Sequence, residues 1–349
     1  MNGAAPGRPG PAPADLLSAY LAARAAAILA ERGDLTRLFI SGRDALDLMH
    51  RLSSNALTSL GVGEGAATVF TTNKGRILDL VTLHRLPEGQ LALCGAGRAA
   101  TIRDWIEKYT FREEVSVADW TGSHRTLGIY GPHAGRVVES LWGPGAAGRP
   151  PHAIVNVPIK DGGSALLVQG FPLGGDGYLI TAPNGAIEAL RRALLEVQVE
   201  RPVEAGPECL EVLRIEAGLP ASGRELTDEY NPWEARLQDA VSLTKGCYVG
   251  QEVVARLHTY RKVSRQLVRI TVPGGPEGAA HKDTVVPGAL IRSGALTLGA
   301  VTSSAAVPGG GGRVVALGYV RDEDAVSGRA VEIAHAGRSV PAIIEGVAR

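Results

Sequence analysis

The sequence contains few cysteines and no excess of either charge. Its 349 residues include only Cys94, Cys209 and Cys247, which lie far apart. An odd number of distant cysteines predicts no disulfide framework and favours a reducing compartment. Lysine plus arginine equals aspartate plus glutamate, at 36 each. A zero net charge argues against a protein that coats nucleic acid or binds an acidic membrane surface.

Long apolar runs and a secretory signal are also missing. No hydrophobic stretch approaches the roughly 20 residues of a membrane span. The start, MNGAAPGRPGPAPAD, lacks a charged segment followed by an apolar one and is typical of a flexible tail. Residues 16–32 are rich in alanine and carry arginine, so a transit peptide stays open, but an amphipathic helix is the main prediction. We therefore expect a cytoplasmic protein.

Short apolar segments alternate with helical patterns through the middle of the chain, which predicts an α+β fold. They form two similar units, at about 34–122 and 123–264. Each unit opens with a strand and a Gly-x-x-Ala step into a helix, from Gly42 to Ala45 and from Gly131 to Ala134. A repeat of this kind predicts a pseudo-twofold pair with a cleft between its halves.

The sequence predicts short helices and short strands along the whole chain. The helices are expected at 44–52, 101–109, 134–141, 187–195 and 209–216. The strands of the two units are expected at 38–40, 67–71, 77–83, 90–94, 114–118, 127–131, 154–157, 165–168 and 178–181. From residue 265 to 349, short apolar runs at 266–272, 289–291, 298–301, 314–319 and 331–333 are separated by glycine and proline, which predicts a small β-barrel. Residues 1–33 form the tail and first helix, and residues 34–264 form the body.

The most informative stretch is KGCYVGQEVVARLHTYRKVSR, residues 245–265. Gly246 and Gly250 flank Cys247 and allow a tight turn or a close approach to a ligand. A helical pattern follows Gly250, so Cys247 precedes a helix N-terminus and has Lys245 two residues upstream. Both features favour a thiolate. The alternative is that Cys247 is a small buried apolar residue.

The octapeptide KGCYVGQE resembles the defining motif of the YgfZ family. That family is related to the T-protein, or aminomethyltransferase, of the glycine cleavage system. Its pattern of Lys-Gly-Cys-aromatic-x-Gly-Gln-Glu is matched at every position. Further matches follow in the family's order: RIEAGLP at 214–220, NPWEA at 231–235, GAVTS at 299–303 and ALGYV at 316–320.

The resemblance implies a T-protein-like body that binds tetrahydrofolate, with a C-terminal β-barrel. It also implies a role in assembling or repairing iron–sulfur proteins, with Cys247 and Lys245 as reactive residues. The candidate folate contacts are Asp79, Tyr178, Arg214, Glu216, Tyr248, Gln251 and Glu252. Asp79 or Glu216 would accept from the pterin, Arg214 would bind a carboxylate, and the tyrosines would supply flat faces. Alternatively, Arg214 and Glu216 form an ion pair on a helix face, and Tyr178 is a core aromatic.

Two positions depart from the aminomethyltransferase pattern. Leu80 stands where those enzymes have the second acid of an Asp-Asp pair, and Gly175 stands where they have a glutamate. A missing carboxylate removes a group that can handle protons, so glycine cleavage chemistry is not expected.

The basic run Arg256, His258, Arg261, Lys262 and Arg265 is either a solvated face or a binding surface for a polyglutamate tail or an acidic partner.

The sequence therefore predicts a folate-binding protein that serves iron–sulfur client or assembly proteins. The alternatives are a folate-dependent aminomethyl- or methyltransferase and a binding module whose cysteine is structural. No metal site is expected, because the histidines are scattered and the cysteines are distant.

Overall fold

The computed structural model describes residues 15–160, 162–170, 173, 175–260, 262–275, 281 and 283–348. The predicted flexible tail, apart from Asp15, lies outside these residues. The described chain forms two α/β units followed by a closed six-stranded barrel, which confirms the predicted α+β class.

The first helix is shorter than predicted. α1 (Leu16–Ala25) begins at Asp15, whose carboxylate accepts a hydrogen bond from the Ser18 N–H at 2.9 Å. The chain then forms strand β1 (Ile28–Glu31), so the helix predicted over 16–32 is wrong beyond Ala25. Sheet pairing overrides the helical preference of this alanine-rich stretch, because β1 gains hydrogen-bonded neighbours on both sides.

The first unit is a five-stranded sheet with two helices. Its elements are β2 (Leu35–Ser41), α2 (Ala45–Leu52), β3 (Gly65–Thr71), β4 (Ile77–Leu86), β5 (Gly89–Gly95), α3 (Ala99–Lys108) and β6 (Ser116–Asp119). The strand order is β3-β4-β5-β2-β6.

The second unit has the same succession of elements. These are β7 (His124–Gly131), α4 (Ala134–Trp142), β8 (Ile154–Pro158), β9 (Ser164–Gln169), β10 (Asp176–Pro183), α5 (Asn184–Leu195) and β11 (Val203–Ala205). Its strand order, β8-β9-β10-β7-β1-β11, repeats that of the first unit with β1 inserted.

The repeat extends to backbone geometry. Gly42 and Gly131 both have a φ of +117° at the turn from strand to helix. A β-carbon at Gly42 would overlap the carbonyl oxygen of Glu114, and one at Gly131 would lie 2.6 Å from that of Ala26. Both turns therefore require glycine, and the predicted pseudo-repeat is confirmed.

The chain continues through α6 (Pro207–Glu216), a largely irregular segment at 217–250, and α7 (Gln251–Tyr260). The barrel comprises β12 (Arg265–Val272), β13 (Leu290–Ser293), β14 (Leu296–Ala306), β15 (Val314–Arg321), β16 (Ala330–His335) and β17 (Arg338–Val347). It closes in the order β12-β15-β14-β13-β16-β17. The domain limits near residues 33, 122 and 264 stay a proposal. Within the described chain, no helix is both long and apolar enough to span a bilayer.

A buried histidine joins the two units. His84 on β4 is 0% exposed, and its Nδ1 lies 2.9 Å from the carbonyl oxygen of His152 in the second unit. Its Nε2 lies 3.2 Å from Thr82 Oγ1. A β-carbon at Gly65 would overlap the His152 carbonyl oxygen, so the two chains approach closely here. Burial lowers the pKa of His84 to about 4.

This histidine predicts a loss of stability in acid. The unfolded chain takes up a proton near pH 6.5, whereas folded His84 resists protonation down to about pH 4. The free energy of unfolding is therefore unaffected by this histidine above pH 6.5 and decreases as the pH drops from 6.5 to 4. The decrease totals roughly 3 kcal/mol, at 1.36 kcal/mol per pKa unit. Urea denaturation at several pH values measures it. His84→Asn, which retains a donor for the His152 carbonyl, should lose less stability over this window, and equal losses would contradict the assignment.

Candidate functional site

The motif loop, residues 245–250, is seated on the first unit just before α7. Gly250 has a φ of +84°, and a β-carbon there would overlap the carbonyl oxygen of Thr72. Thr71 Oγ1 donates to the carbonyl oxygen of Val249 at 2.6 Å. Gly250 therefore lets the motif loop approach the turn between β3 and β4.

Lys245 fixes the loop to the end of α2. Its ammonium donates to the carbonyl oxygens of His50, Ser53 at 2.7 Å and Asn55 at 2.8 Å. The last carbonyls of a helix lack partners within it, and the helix dipole favours a cation there. Burial lowers the pKa of Lys245 to about 8. In the described chain, the three hydrogen bonds of the ammonium all go to carbonyl oxygens, and its activation of Cys247 stays a prediction.

Cys247 differs from the other two cysteines in its access to solvent. It is exposed, whereas Cys94 and Cys209 are buried. Burial raises the pKa of Cys94 well above its usual value and that of Cys209 to about 11. The thiolate is the reactive form of cysteine, so the two buried thiols are poor nucleophiles at neutral pH. Cys247 is the cysteine that a reagent or partner can reach.

Tyr248 anchors the loop next to this thiol. It is 8% exposed and packs in a small apolar cluster with Val241 and Val254. Its ring centroid lies 5.1 Å from Lys245 Nζ, within the range of a cation–π interaction. Burial raises the pKa of Tyr248 to about 12.

Of the remaining motif residues, Gln251 and Glu252 begin α7 and Gly246 lies in the motif loop. Gln251 Oε1 accepts from the Tyr248 N–H at 3.3 Å. Glu252 and Gly246 are exposed, and a β-carbon at Gly246 would meet no atom within 4 Å. The backbone of Gly246 is thus open on the side where a side chain would project.

The predicted basic run lies at the surface. Its members Arg256, His258, Lys262 and Arg265 are exposed, and Arg261 lies outside the described residues. In α7 as described, Val254 is the buried residue.

Asp79 is a buried carboxyl group on β4. It is 0% exposed and accepts hydrogen bonds from the Gly95 N–H at 2.9 Å and from the Ser222 hydroxyl. Burial raises its pKa. A carboxylate offers about four acceptor sites, so the two hydrogen bonds described do not use all of those of Asp79, and its contact with a folate stays a proposal. Ser222 is 143 residues away in sequence, and no local pattern predicts this contact.

Arg214 on α6 is already paired within the protein. Its guanidinium lies 2.7 Å from Glu211 and 3.0 Å from Glu225. It also donates to the Leu219 carbonyl at 2.7 Å and to Ser303 Oγ at 2.8 Å. A ligand carboxylate would therefore have to displace a protein partner.

Glu216 has a different set of partners. It accepts from the Tyr20 hydroxyl at 2.9 Å, from Arg24, and from Arg313 at 2.8 Å. It therefore ties α1 to the barrel. The alternative ion pair between Arg214 and Glu216 is wrong, because their ion-pair partners are other residues.

Tyr178 lies in the apolar core of the second unit and is 1% exposed. Burial raises its pKa. None of the hydrogen bonds or ion pairs of the described chain joins Asp79, Tyr178, Arg214 and Glu216 to one another. The motif residues come together. Asp79 and Arg214 both contact the segment 219–225, through Ser222 and through Leu219 and Glu225, and Tyr178 lies in the core of the second unit. Nowhere in the described chain do three His, Cys, Asp or Glu side chains form a group that could hold a metal ion.

Comparisons with known proteins identify relatives. Residues 15–245 match the family model described as GCVT N-terminal domain. A putative chloroplastic transferase from Arabidopsis thaliana is 28% identical over 318 residues, covering 89% of this chain and 68% of that protein. An aminomethyltransferase from Symbiobacterium thermophilum is 29% identical over 339 residues, covering 94% and 87%. The crystal structure of the glycine cleavage system aminomethyltransferase T from Bartonella henselae superposes with a TM-score of 0.78. At 24% identity, covering 95% of this chain and 88% of that one, it shows a shared fold.

Proposed function

This chain belongs to the GCVT N-terminal domain family, and on that premise we propose that it binds a reduced folate and serves iron–sulfur proteins through the motif Lys245–Glu252. Its partners would be iron–sulfur client or assembly proteins, and its location the cytoplasm. The observation that carries the proposal is the exposure of Cys247 on a loop that is otherwise fixed to the body. Lys245 holds the loop through three hydrogen bonds to carbonyl oxygens, and Gly250 packs closely against the Thr72 carbonyl. The thiol is therefore presented at a defined position.

A second candidate is a folate-dependent aminomethyltransferase or methyltransferase, and the name of the Symbiobacterium thermophilum relative favours the first of these. Two positions count against it. Leu80 packs against the hydrophobic core. A β-carbon at Gly175 would lie 2.7 Å from the Pro132 nitrogen, which leaves no room for a glutamate without movement. Two nearby residues, Pro172 and Gly174, lie outside the described residues.

We accordingly expect no aminomethyl transfer from a lipoyl carrier to tetrahydrofolate. The carboxylates that would handle protons are replaced by Leu80 and Gly175. A reconstituted glycine cleavage assay tests this, with an established aminomethyltransferase as the positive control. Robust turnover by this protein would favour the second candidate instead.

The residues fit a folate at Asp79, where a buried carboxyl group with spare acceptor capacity can pair with the amino and N–H groups of a pterin. Ser222 would have to move aside. Bound folate would supply a carrier for one-carbon groups, while Asp79 would orient its ring.

Tetrahydrofolate is therefore expected to stabilise the protein. At a hundred times its dissociation constant, a ligand that binds only the folded state adds about 2.7 kcal/mol. Thermal denaturation and isothermal calorimetry measure the effect. Asp79→Asn should weaken the binding, because an amide replaces one acceptor oxygen by a donor. An unmoved melting curve with no heat of binding would remove the folate part of the proposal.

A further inference from the structure

Trp233, in the segment NPWEA at 231–235, contacts the chain on the C-terminal side of the reactive thiol. Its indole N–H donates to the Val254 carbonyl of α7 at 2.8 Å. Its ring packs against the apolar cluster that contains Tyr248 and Val254. Tyr248 is the residue next to Cys247, and Val254 lies in the first part of the helix that follows the motif loop. One side chain of the body therefore contacts both the loop and the helix.

The other support of α7 comes from the turn between β3 and β4. Among the described residues of α7, only Val254 is buried. A β-carbon on Gly75 would lie 3.1 Å from Val253 and 3.3 Å from Val254, so the start of the helix packs closely on this turn. One turn farther along, the ring centroid of His258 lies 4.9 Å from that of Trp233. Trp233 thus extends the support of α7 beyond its first turn.

The backbone around Trp233 is held by reciprocal hydrogen bonds. The side-chain oxygen of Asn231 accepts from the N–H groups of Trp233 at 3.0 Å and Glu234 at 3.1 Å. The buried Glu234 carboxylate accepts in return from the Asn231 N–H at 3.0 Å, as in a capping box. Glu234 also lies 3.6 Å from Arg76, which precedes β4. These bonds fix the position from which the indole reaches α7.

The thiol of Cys247 is thus held from both sides. Lys245 fixes the chain two residues before it to the end of α2. Trp233 fixes the chain after it through the packing of Tyr248 and the hydrogen bond to α7. Two anchors matter for a reactive group, because a displacement of about 1 Å can cost roughly a hundredfold in rate.

We propose that Trp233 is a positioning residue for Cys247. It acts through Tyr248 and α7 and does not itself touch a reacting group. Its effect on the motion of the loop is a property of this chain alone. Its effect on iron–sulfur clients rests on the proposed function.

A nitroxide spin label on Cys247 measures this motion. Cys247 is exposed and Cys94 and Cys209 are buried, so a thiol-reactive label attaches selectively. Trp233→Leu removes both the indole N–H and the flat ring. It should shorten the rotational correlation time of the label by roughly twofold or more, because a segment that loses packing contacts gains local motion. Trp233→Phe keeps a ring in the cluster without the N–H and should restore part of the order. Spectra are recorded well below the melting temperature, where a merely structural role would leave them unchanged.

Trp142 provides the matched control. It is partly buried like Trp233, and its indole N–H also donates to a backbone carbonyl, that of Pro158 in the second unit, at 2.9 Å. Trp142→Leu and Trp142→Phe should leave the spectrum of the label on Cys247 unchanged. Unchanged label motion in folded Trp233→Leu, or an equal increase in Trp142→Leu, would overturn the proposal. If Trp233→Leu does not fold, Trp233→Phe decides, and a spectrum identical to that of the unmodified protein would overturn it.

An assay of client iron–sulfur enzymes separates this proposal from the proposed function. At equal amounts of folded protein, Trp233→Leu should lower the support of clients, and Trp233→Phe should restore part of it. If Cys247→Ser fully supports the clients, the role of the motif fails, while the spin-label spectra still decide whether Trp233 positions the thiol. Full support by Trp233→Leu in cells where Cys247→Ser fails would overturn the positioning role.

Discussion

Glu225→Ala is expected to lower the free energy of unfolding by about 3–5 kcal/mol, the usual effect of breaking a buried charge pair. Glu225 is 0% exposed. Its carboxylate accepts from Arg214 at 3.0 Å, from the Ala221 N–H at 2.9 Å, and from Thr302 and Ser303 of the barrel at 2.6 Å each. Alanine would leave these donors without their acceptor at the joint between body and barrel. Urea denaturation measures the loss.

Glu323→Ala is the control for this prediction. Glu323 follows β15 of the barrel and, like Glu225, pairs with an arginine, Arg321, at 3.4 Å, but its side chain is 72% exposed. An exposed pair contributes about 0–1 kcal/mol. Glu225→Gln keeps one acceptor oxygen and should fall between the two. If Glu225→Ala costs no more than Glu323→Ala, the joint does not depend on this carboxylate.

Cys247→Ser is expected to abolish the support of iron–sulfur enzymes while leaving the melting temperature nearly unchanged. The thiol is exposed and packs in no described apolar cluster, so exchanging sulfur for oxygen removes reactivity without removing a core contact. Activity of a client iron–sulfur enzyme in cells that depend on this protein measures the first effect. Alkylation followed by mass spectrometry should label Cys247 faster than Cys94 and Cys209.

Cys94→Ser serves as the opposite case. Cys94 is 1% exposed within the core of the first unit, so a hydroxyl there should lower the melting temperature, and function should fall only with the amount of folded protein. A Cys247→Ser protein that fully supports its client enzymes would refute the proposed role of the motif.

The helices and strands with a strong hydrophobic periodicity were predictable from the sequence. Strands that depend on pairing with residues distant in sequence were not. Gly42 and Gly131 revealed the repeat because both glycines serve a turn that no other residue adopts easily. β17 escaped prediction because Pro341, a residue type that disfavours strands, stands between its buried residues Val340 and Ala342. β1 escaped because the alanine-rich stretch that precedes it favours a helix locally, and only pairing with β7 and β11 makes it a strand.

The same distinction between local pattern and long-range contact applies to the candidate site. The motif was readable because its residues are contiguous, and the structure keeps them together. The partners of Asp79, Arg214 and Glu216 depend on contacts such as that of Ser222, 143 residues from Asp79. Such pairs leave no local pattern, so the polar partners that satisfy these side chains become visible only in the folded chain.

The contact between Lys245 and the end of α2 can form only late in synthesis. His50 is translated 195 residues before Lys245. At about 5–20 residues per second, the ribosome needs roughly 10–40 s to cover that distance. Until then the carbonyls at the end of α2 lack their ammonium, although every strand of the first sheet has already emerged. The first unit to leave the ribosome is thus completed only after the second, and a nascent chain stalled before Lys245 leaves the end of α2 without the motif loop.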